Sequence, residues 1–502
     1  MKKKVVGLSL VLAFYVTHLA GCSSDNNALL LLPQSPAPLS AVNLNLIFVA
    51  SPDLAFHAAG DINSDTANLT TQGLNRSLLM AAFLQQQVLG SKNVTGIYTL
   101  QPMSHLQNSF PDMAPLVNVQ QFAMLNQITL LGQGSSQPPH TTGNSYPLNV
   151  SYVKGAIPAN AITIPASGIC PDCQGLAFND PGGYNSTLVA TIINSNAPGF
   201  HVFSAPWETI NALLTAINSS KGYHLTLPAT FVPNQIYVVS IAPSGSASLI
   251  TFDPQLNPSV TYPDIPGMSS LMGTATCPDS TTKTPAGFEV YVTATTPGAV
   301  IPADINRNET LHMIRHAEAH PASGWEDGNY VAAGQWRALA LPLALREKKI
   351  SPDLVYSIDP AQLVEPSSST PNWSYVRPSL TVAPYVIANN LPFYLISTIE
   401  LTNPISPKLT SNYFFFENNL LAGKTVLLAW EHNHIPLIVF ELIKKYFPHG
   451  GGPNPAPPLK WPGSDYDTIW TVKTDASGNL TVNNYLCEGI DSAKLPPTPP
   501  RF

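Results

Sequence analysis

An ordered strand-and-helix pattern occurs twice in this chain. LNLIFVASPDLAFHAAG (44–60) and ETLHMIRHAEAHPASG (309–324) each run from an apolar stretch into a polar break. LTTQGLNRSLLMAAFLQQQ (69–87) then parallels YVAAGQWRALALPLALREK (330–348), matching Gly73 with Gly334 and Arg76 with Arg337. Both continue with apolar residues at helical spacing. VTGIYTLQP (94–102) parallels SPDLVYSIDP (351–360), and FPDMAPLVNVQQF (110–122) parallels RPSLTVAPYVIANNLPF (377–393). GFHVFSAPWETINALLTAINSSKGY (199–223) parallels GKTVLLAWEHNHIPLIVFELIKKYF (423–447), a strand followed by a helix. QIYVVSIAPSGSASLITFD finally parallels DTIWTVKTDASGNLTVNNY.

Six matches in one order imply two α/β domains of one fold. Strands alternating with helices predict, in each, a mostly parallel sheet with helices on both faces. The expected boundaries are 43–270 and 306–495, joined by a linker at 271–305 in which GFEVYVTATTPGAVIP (287–302) alternates as a strand does. A Pro-, Gly-, Ser- and Asn-rich insertion near 133–185 reads as loop. The length of 502 residues suits two or three cores, and an apolar fraction of 44% can fill them. A net charge of −7, with no basic cluster past the first residues, argues against nucleic acid as a partner.

The beginning of the chain reads as a targeting signal. Lys2, Lys3 and Lys4 precede VVGLSLVLAFYVTHL, an apolar run short for a membrane span. It ends in LAGC (19–22), which resembles the lipobox of bacterial lipoproteins. That resemblance implies a signal peptide over 1–22, lipidation of Cys22, a tether over 23–42, and attachment to the bacterial cell envelope facing the periplasm or the exterior. An exported protein can keep disulfides, so Cys170–Cys173 and Cys277–Cys487 are possible pairs, although the thiols could equally be free.

Ligands of parallel sheets bind beyond the carboxyl ends of the strands. Only the second pattern places cationic groups there: Arg315 and His316 after LHMI, Arg377 opening RPSLTVAPYVIA, and His432 after TVLLAWE. Two arginines and two histidines suit a dianionic oxyanion, because guanidinium forks bind its oxygens bidentately. One imidazole can attack phosphorus while the other donates to the group in transfer.

MIRHAEAH, AAGQWRALAL, SYVRPSLTVAPYVIANNL and VLLAWEH, in that order, resemble the histidine phosphatase superfamily over about 180 residues, 309–490. The resemblance implies a phosphoglycerate-mutase-like fold and a phosphomonoesterase that needs no metal or other cofactor. His316 is then the nucleophile, with Arg315, His316, Arg377 and His432 forming the phosphate pocket. Asn433 after His432, where the acid-phosphatase branch has aspartate, places the chain nearer the mutase-like branch. Glu400 lies at plausible spacing for the proton donor, with Glu318 and Asp359 as further candidates. Two positions depart from the family pattern. Ala317 replaces the signature glycine, where a methyl could crowd the phosphate loop, and His434 is extra.

In the first pattern Ala50 and Ser51 stand at Arg315 and His316, Asn108 at Arg377, and Glu208 or Thr209 at His432. No phosphate pocket can be built from these, so this copy reads as degenerate. Three alternatives compete with the phosphatase reading. Arg315 and His316 could merely cap their strand and pair with Glu318 or Glu326. His316, His320, His432 and His434 could instead bind a metal. The chain could also be a non-catalytic binding or scaffold lipoprotein. A small-molecule or protein phosphomonoester is the expected substrate.

Overall fold

A computed structural model describes residues 36–102, 110–127, 129–131, 139–141, 146–150, 176, 180, 183–265, 267, 287–319, 327–364, 373–396 and 406–502. All belong to one compact unit, Pro36–Phe502. The signal segment, Cys22, most of the 133–185 insertion, Asn108, His320, Glu326 and Glu400 lie outside the described residues.

The first sheet contains β1 (Leu44–Ala50), β2 (Gly96–Thr99), β3 (Asn149–Val150), β4 (Gly199–Ala205), β5 (Ile236–Ile241) and β6 (Ala247–Phe252), in the order β3-β2-β4-β1-β5-β6. The second contains β7 (Glu289–Val292), β8 (Thr310–Arg315), β9 (Leu354–Ile358), β10 (Phe393–Ile396), β11 (Thr425–Trp430), β12 (Thr468–Thr474) and β13 (Leu480–Cys487), in the order β10-β9-β11-β8-β12-β13-β7. Each has a four-stranded parallel core, extended on one side by antiparallel strands. The protein is therefore α/β with two mixed sheets, and the two share one strand order. β7 comes from the segment between the halves and pairs with β13 at the sheet edge. Cys487, which ends β13, is disulfide-bonded.

The first-half helices are α1 (Thr71–Phe83), α2 (Ala114–Met124), α3 (Tyr184–Ser195) and α4 (Trp207–Lys221). The second-half helices are α5 (Ala332–Glu347), α6 (Arg377–Ala388), α7 (Ser406–Phe416) and α8 (His434–Tyr446). Helices α3 and α4 share a core with one set of side chains from the first sheet, and α7 and α8 do the same on the second. The other faces, with α1, α2, α5 and α6 between them, share a single core. Burial on all sides explains why α2 and α6 lack a polar stripe: every residue of α2 is buried, and α6 is buried from Arg377 to Ile387.

The Gly and Arg matched in the sequence do the same work in both halves. A Cβ on Gly334 would lie 2.8 Å from the Glu318 carbonyl oxygen, and one on Gly73 would strike the Asp61 carbonyl. Glycine thus lets each helix approach the loop that follows the first strand of its half. Three residues on, the arginine ties down the same loop residue. Arg337 Nε donates to Glu318 at 2.8 Å, and Arg76 Nε donates to Asp61 at 2.7 Å.

Candidate active site

Strands β8 and β11 lie side by side, paired from Thr310–Thr425 to Arg315–Trp430. The chain leaves β8 toward α5 on one face and leaves β11 toward α8 on the other, which opens a crevice at their carboxyl ends. His316 extends the ladder by one step, its N–H donating to the Trp430 carbonyl at 3.1 Å. His432 follows two residues beyond Trp430, and the His316 and His432 rings stand 6.5 Å apart and nearly perpendicular.

His316 is 2% exposed. Its Nδ1 lies 2.8 Å from the Ala317 carbonyl oxygen. A carbonyl can only accept, so Nδ1 carries the proton and Nε2 keeps its lone pair. Burial, then the positive charges of Arg377 and Arg315, hold the imidazole well below its ordinary pKa. The ring is neutral at pH 7 and set in the tautomer a nucleophile needs.

Both guanidiniums are buried beside it. Arg315 stacks on Tyr466 at 3.8 Å and donates to the Gly463 and Asp465 carbonyls at 2.6 and 3.3 Å, while its buried Nε has no hydrogen-bond partner among the described residues. Arg377, the first residue of α6, lies over Tyr375 at 4.8 Å. Its backbone N–H donates to Gly328, and its Nη1 donates to the Asn329 carbonyl at 3.4 Å. Both guanidiniums and His432 lie near enough to His316 to depress its pKa, and the two histidine rings stand 6.5 Å apart.

Ala317 fits without strain. It is absent from the residues with left-handed backbone, so no glycine is required at this position. Its N–H donates to Thr381 Oγ1 at 2.8 Å, and that hydroxyl donates to the Arg377 carbonyl at 2.7 Å.

Glu318 is not the partner of Arg315 or His316. Its carboxylate faces the fully buried Arg337, and it also accepts from Ser492 Oγ at 2.8 Å. Asp359, directly after β9, is fully buried; Ala361 N–H donates to Oδ1 at 2.9 Å, and Oδ2 has no hydrogen-bond partner among the described residues. Burial pushes its carboxyl up to about 7, against the opposing hydrogen bond from Ala361.

Several residues of the site were not singled out from the sequence. Glu431 Oε1 lies 2.6 Å from His432 Nδ1. Burial alone would raise the Glu431 carboxyl, but His432 and the backbone N–H of Asn433 hold it below its ordinary value. Glu431 also accepts the N–H groups of Asn433 and His434 at 2.7 and 3.0 Å, satisfying donors at the start of α8. His434 is buried at that helix start. Tyr375 and Tyr466 flank His316 with ring separations of 6.0 and 6.2 Å. The string EHNH was a visible signal for Glu431; nothing in the sequence pattern marked the two tyrosines.

In the first half, Ser51 N–H donates to the Ala205 carbonyl at 2.9 Å, as His316 does to Trp430. Ser51 is thus the counterpart of His316. Counting two residues on from Ala205, as His432 lies two on from Trp430, reaches Trp207. The tentative alignment of Glu208 or Thr209 with His432 is therefore corrected by one or two positions.

No family model matches the chain, and no curated protein matches it. Solved structures with partial similarity include the protein histidine phosphatase SixA complexed with tungstate, at 18% identity and a TM-score of 0.24, over 36% of this chain and 97% of that one. Another is a mutant phosphoserine phosphatase from Entamoeba histolytica in complex with phosphoserine, at 15% identity and a TM-score of 0.18, over 34% of this chain and 93% of that one. Scores this low carry no weight for function, which rests on the geometry above.

Proposed function

We propose that this chain is a lipid-anchored phosphomonoesterase of the bacterial cell envelope that works through a phosphohistidine on His316. The observation that carries the reading is a buried, neutral His316 with Nδ1 tied to Ala317 and two buried guanidiniums beside it. An anion would relieve the repulsion between Arg315 and Arg377, whereas a divalent cation would add to it. This favours phosphate over a metal-hydrolase reading.

In the first step the Nε2 lone pair forms a bond to phosphorus as the ester P–O bond breaks. The leaving oxygen takes a proton from a carboxylic acid. Water then attacks phosphorus, the N–P electron pair returns to Nε2, and the proton lost by water restores the acid. Arg315 and Arg377 hold the equatorial oxygens, and His432, oriented by Glu431, donates to the group in transfer. The donor acid is Glu400 or Asp359; Glu318 is committed to Arg337.

A screen of phosphomonoesters with the full chain in detergent tests this reading. Hydrolysis blocked by vanadate and lost in His316→Ala supports it. Turnover that survives that substitution contradicts it.

The pH dependence follows from the perturbed groups. His316 stays unprotonated well below pH 6.5, so activity persists into mildly acidic buffer. With Asp359 as donor, its protonated form prevails below about 7, and kcat falls as the pH rises above that value. Asp359→Asn then removes the alkaline limb and slows alkyl phosphates about 10²-fold more than aryl phosphates, whose leaving groups need no proton. If Asp359→Asn leaves the limb intact and Glu400→Gln removes it, Glu400 is the donor.

The anchor has its own test. Cys22→Ser releases the protein from the membrane fraction, as the LAGC motif requires. A Cys22→Ser chain that stays with the membranes contradicts lipid attachment.

A further inference from the structure

We infer that the first half is a working part of the phosphate pocket, with Gln120 positioning Arg377 through Asn329. This rests on the phosphatase reading above. Gln120 lies in α2 of the first half, and Asn329 lies 209 residues away, in the loop before α5. Their side-chain amides pair reciprocally: Gln120 Nε2 donates to Asn329 Oδ1 at 3.0 Å, and Asn329 Nδ2 donates to Gln120 Oε1 at 3.3 Å. Asn329 Nδ2 also donates to the Tyr146 carbonyl of the first half at 3.3 Å. Gln120 and Asn329 are 3% and 0% exposed, so water cannot replace these bonds at little cost.

The clamped loop holds Arg377 from two sides. The Gly328 carbonyl accepts its backbone N–H at 3.1 Å, and the Asn329 carbonyl accepts Nη1 at 3.4 Å. A second contact between the halves supports the adjoining residue. Val150 N–H donates to Ser374 Oγ at 3.0 Å, and Ser374 Oγ donates to the Val150 carbonyl at 3.3 Å. Ser374 precedes Tyr375, whose ring lies beside both Arg377 and His316. The guanidinium is therefore aimed by residues of the half that lacks the arginines and histidines of the pocket. A pocket that recognises a tetrahedral oxyanion needs such fixed donors, since a small misplacement weakens every contact at once.

A double-mutant cycle on the full chain, reading vanadate Kd together with kcat and KM, tests this. Gln120→Met keeps the side-chain volume and removes both amide bonds. The expected result is a vanadate Kd raised about tenfold, with KM rising more than kcat falls. Arg377→Ala weakens binding further, and adding Gln120→Met to it changes nothing more, because the group being positioned is gone. Unchanged vanadate binding in Gln120→Met overturns the inference, as does an effect that persists in full in the Arg377→Ala background. If Gln120→Met does not fold, Ser374→Ala replaces it in the same cycle, with the same outcomes on either side. Arg377→Ala alone separates the two levels. If it binds vanadate as the unaltered chain does, the phosphate-pocket reading fails and this inference with it. Failure of the Gln120 arm alone leaves the phosphatase reading standing.

Discussion

Replacing His316 by alanine lowers kcat by about 10⁴-fold or more, because the substitution removes the atom that forms the covalent bond. Arg377→Ala costs less, about 10²-fold, since Arg315 and His432 still face the phosphoryl group. Ser51→Ala, at the corresponding step of the first half, leaves turnover unchanged. This ordering separates covalent catalysis from general electrostatic support. Steady-state kinetics on the three variants measure it, and similar modest losses at His316 and Arg377 would argue against a phosphohistidine route.

The second large effect is on stability. Arg337 is fully buried and donates to Glu318, to Glu488 Oε2 at 2.5 Å and to the Ile490 carbonyl at 2.9 Å. Burial alone would discourage its charge, but Glu318 and Glu488 hold it firmly protonated. Arg337→Met leaves the Glu318 carboxylate buried without its cation, beside Glu488, whose carboxyl burial already pushes up to about 8. Breaking a buried pair in this way costs about 3–5 kcal/mol. Arg76→Met in the first half costs less, because Arg76 is 11% exposed and pairs with the single carboxylate of Asp61. Urea denaturation of both variants measures the difference. Equal losses would show that burial of the second network is not what sets its weight. Arg337→Met also loosens the loop that carries His316, two residues before Glu318, so activity falls along with stability.

Much of this architecture was legible because the pattern is local and occurs twice. Apolar runs give β1 and β8, and the Gly-x-x-Arg spacing in α1 and α5 reflects one packing solution met in both halves. Arg315, His316 and His432 stood out because an ionisable group at the end of a buried strand has few structural uses, and Arg377 because it opens a helix. Finer features were not. The gap between strand and helix differs between the halves: α4 begins two residues after β4 ends, whereas α8 begins four after β11. Matching the leading glycines, Gly199 with Gly423, places Glu208 at His432, whereas the strand register matches Gly199 with Lys424 and reaches Trp207. Whether position 317 needs glycine is set by its φ, which the sequence does not reveal; Ala317 lies outside the left-handed region. Tyr375 and Tyr466 come from loops with no period to read. The Gln120–Asn329 pair joins two halves far apart in sequence, and no local propensity encodes it.

The measurement that tests the central claim most directly is rapid-quench trapping of the phosphoenzyme with a ³²P-labelled phosphomonoester. The account predicts an acid-labile, base-stable label at one phosphate per chain, on the peptide that contains His316, and no label in His316→Ala. Label on another residue, two labels per chain, or steady turnover with no label on His316 would contradict it.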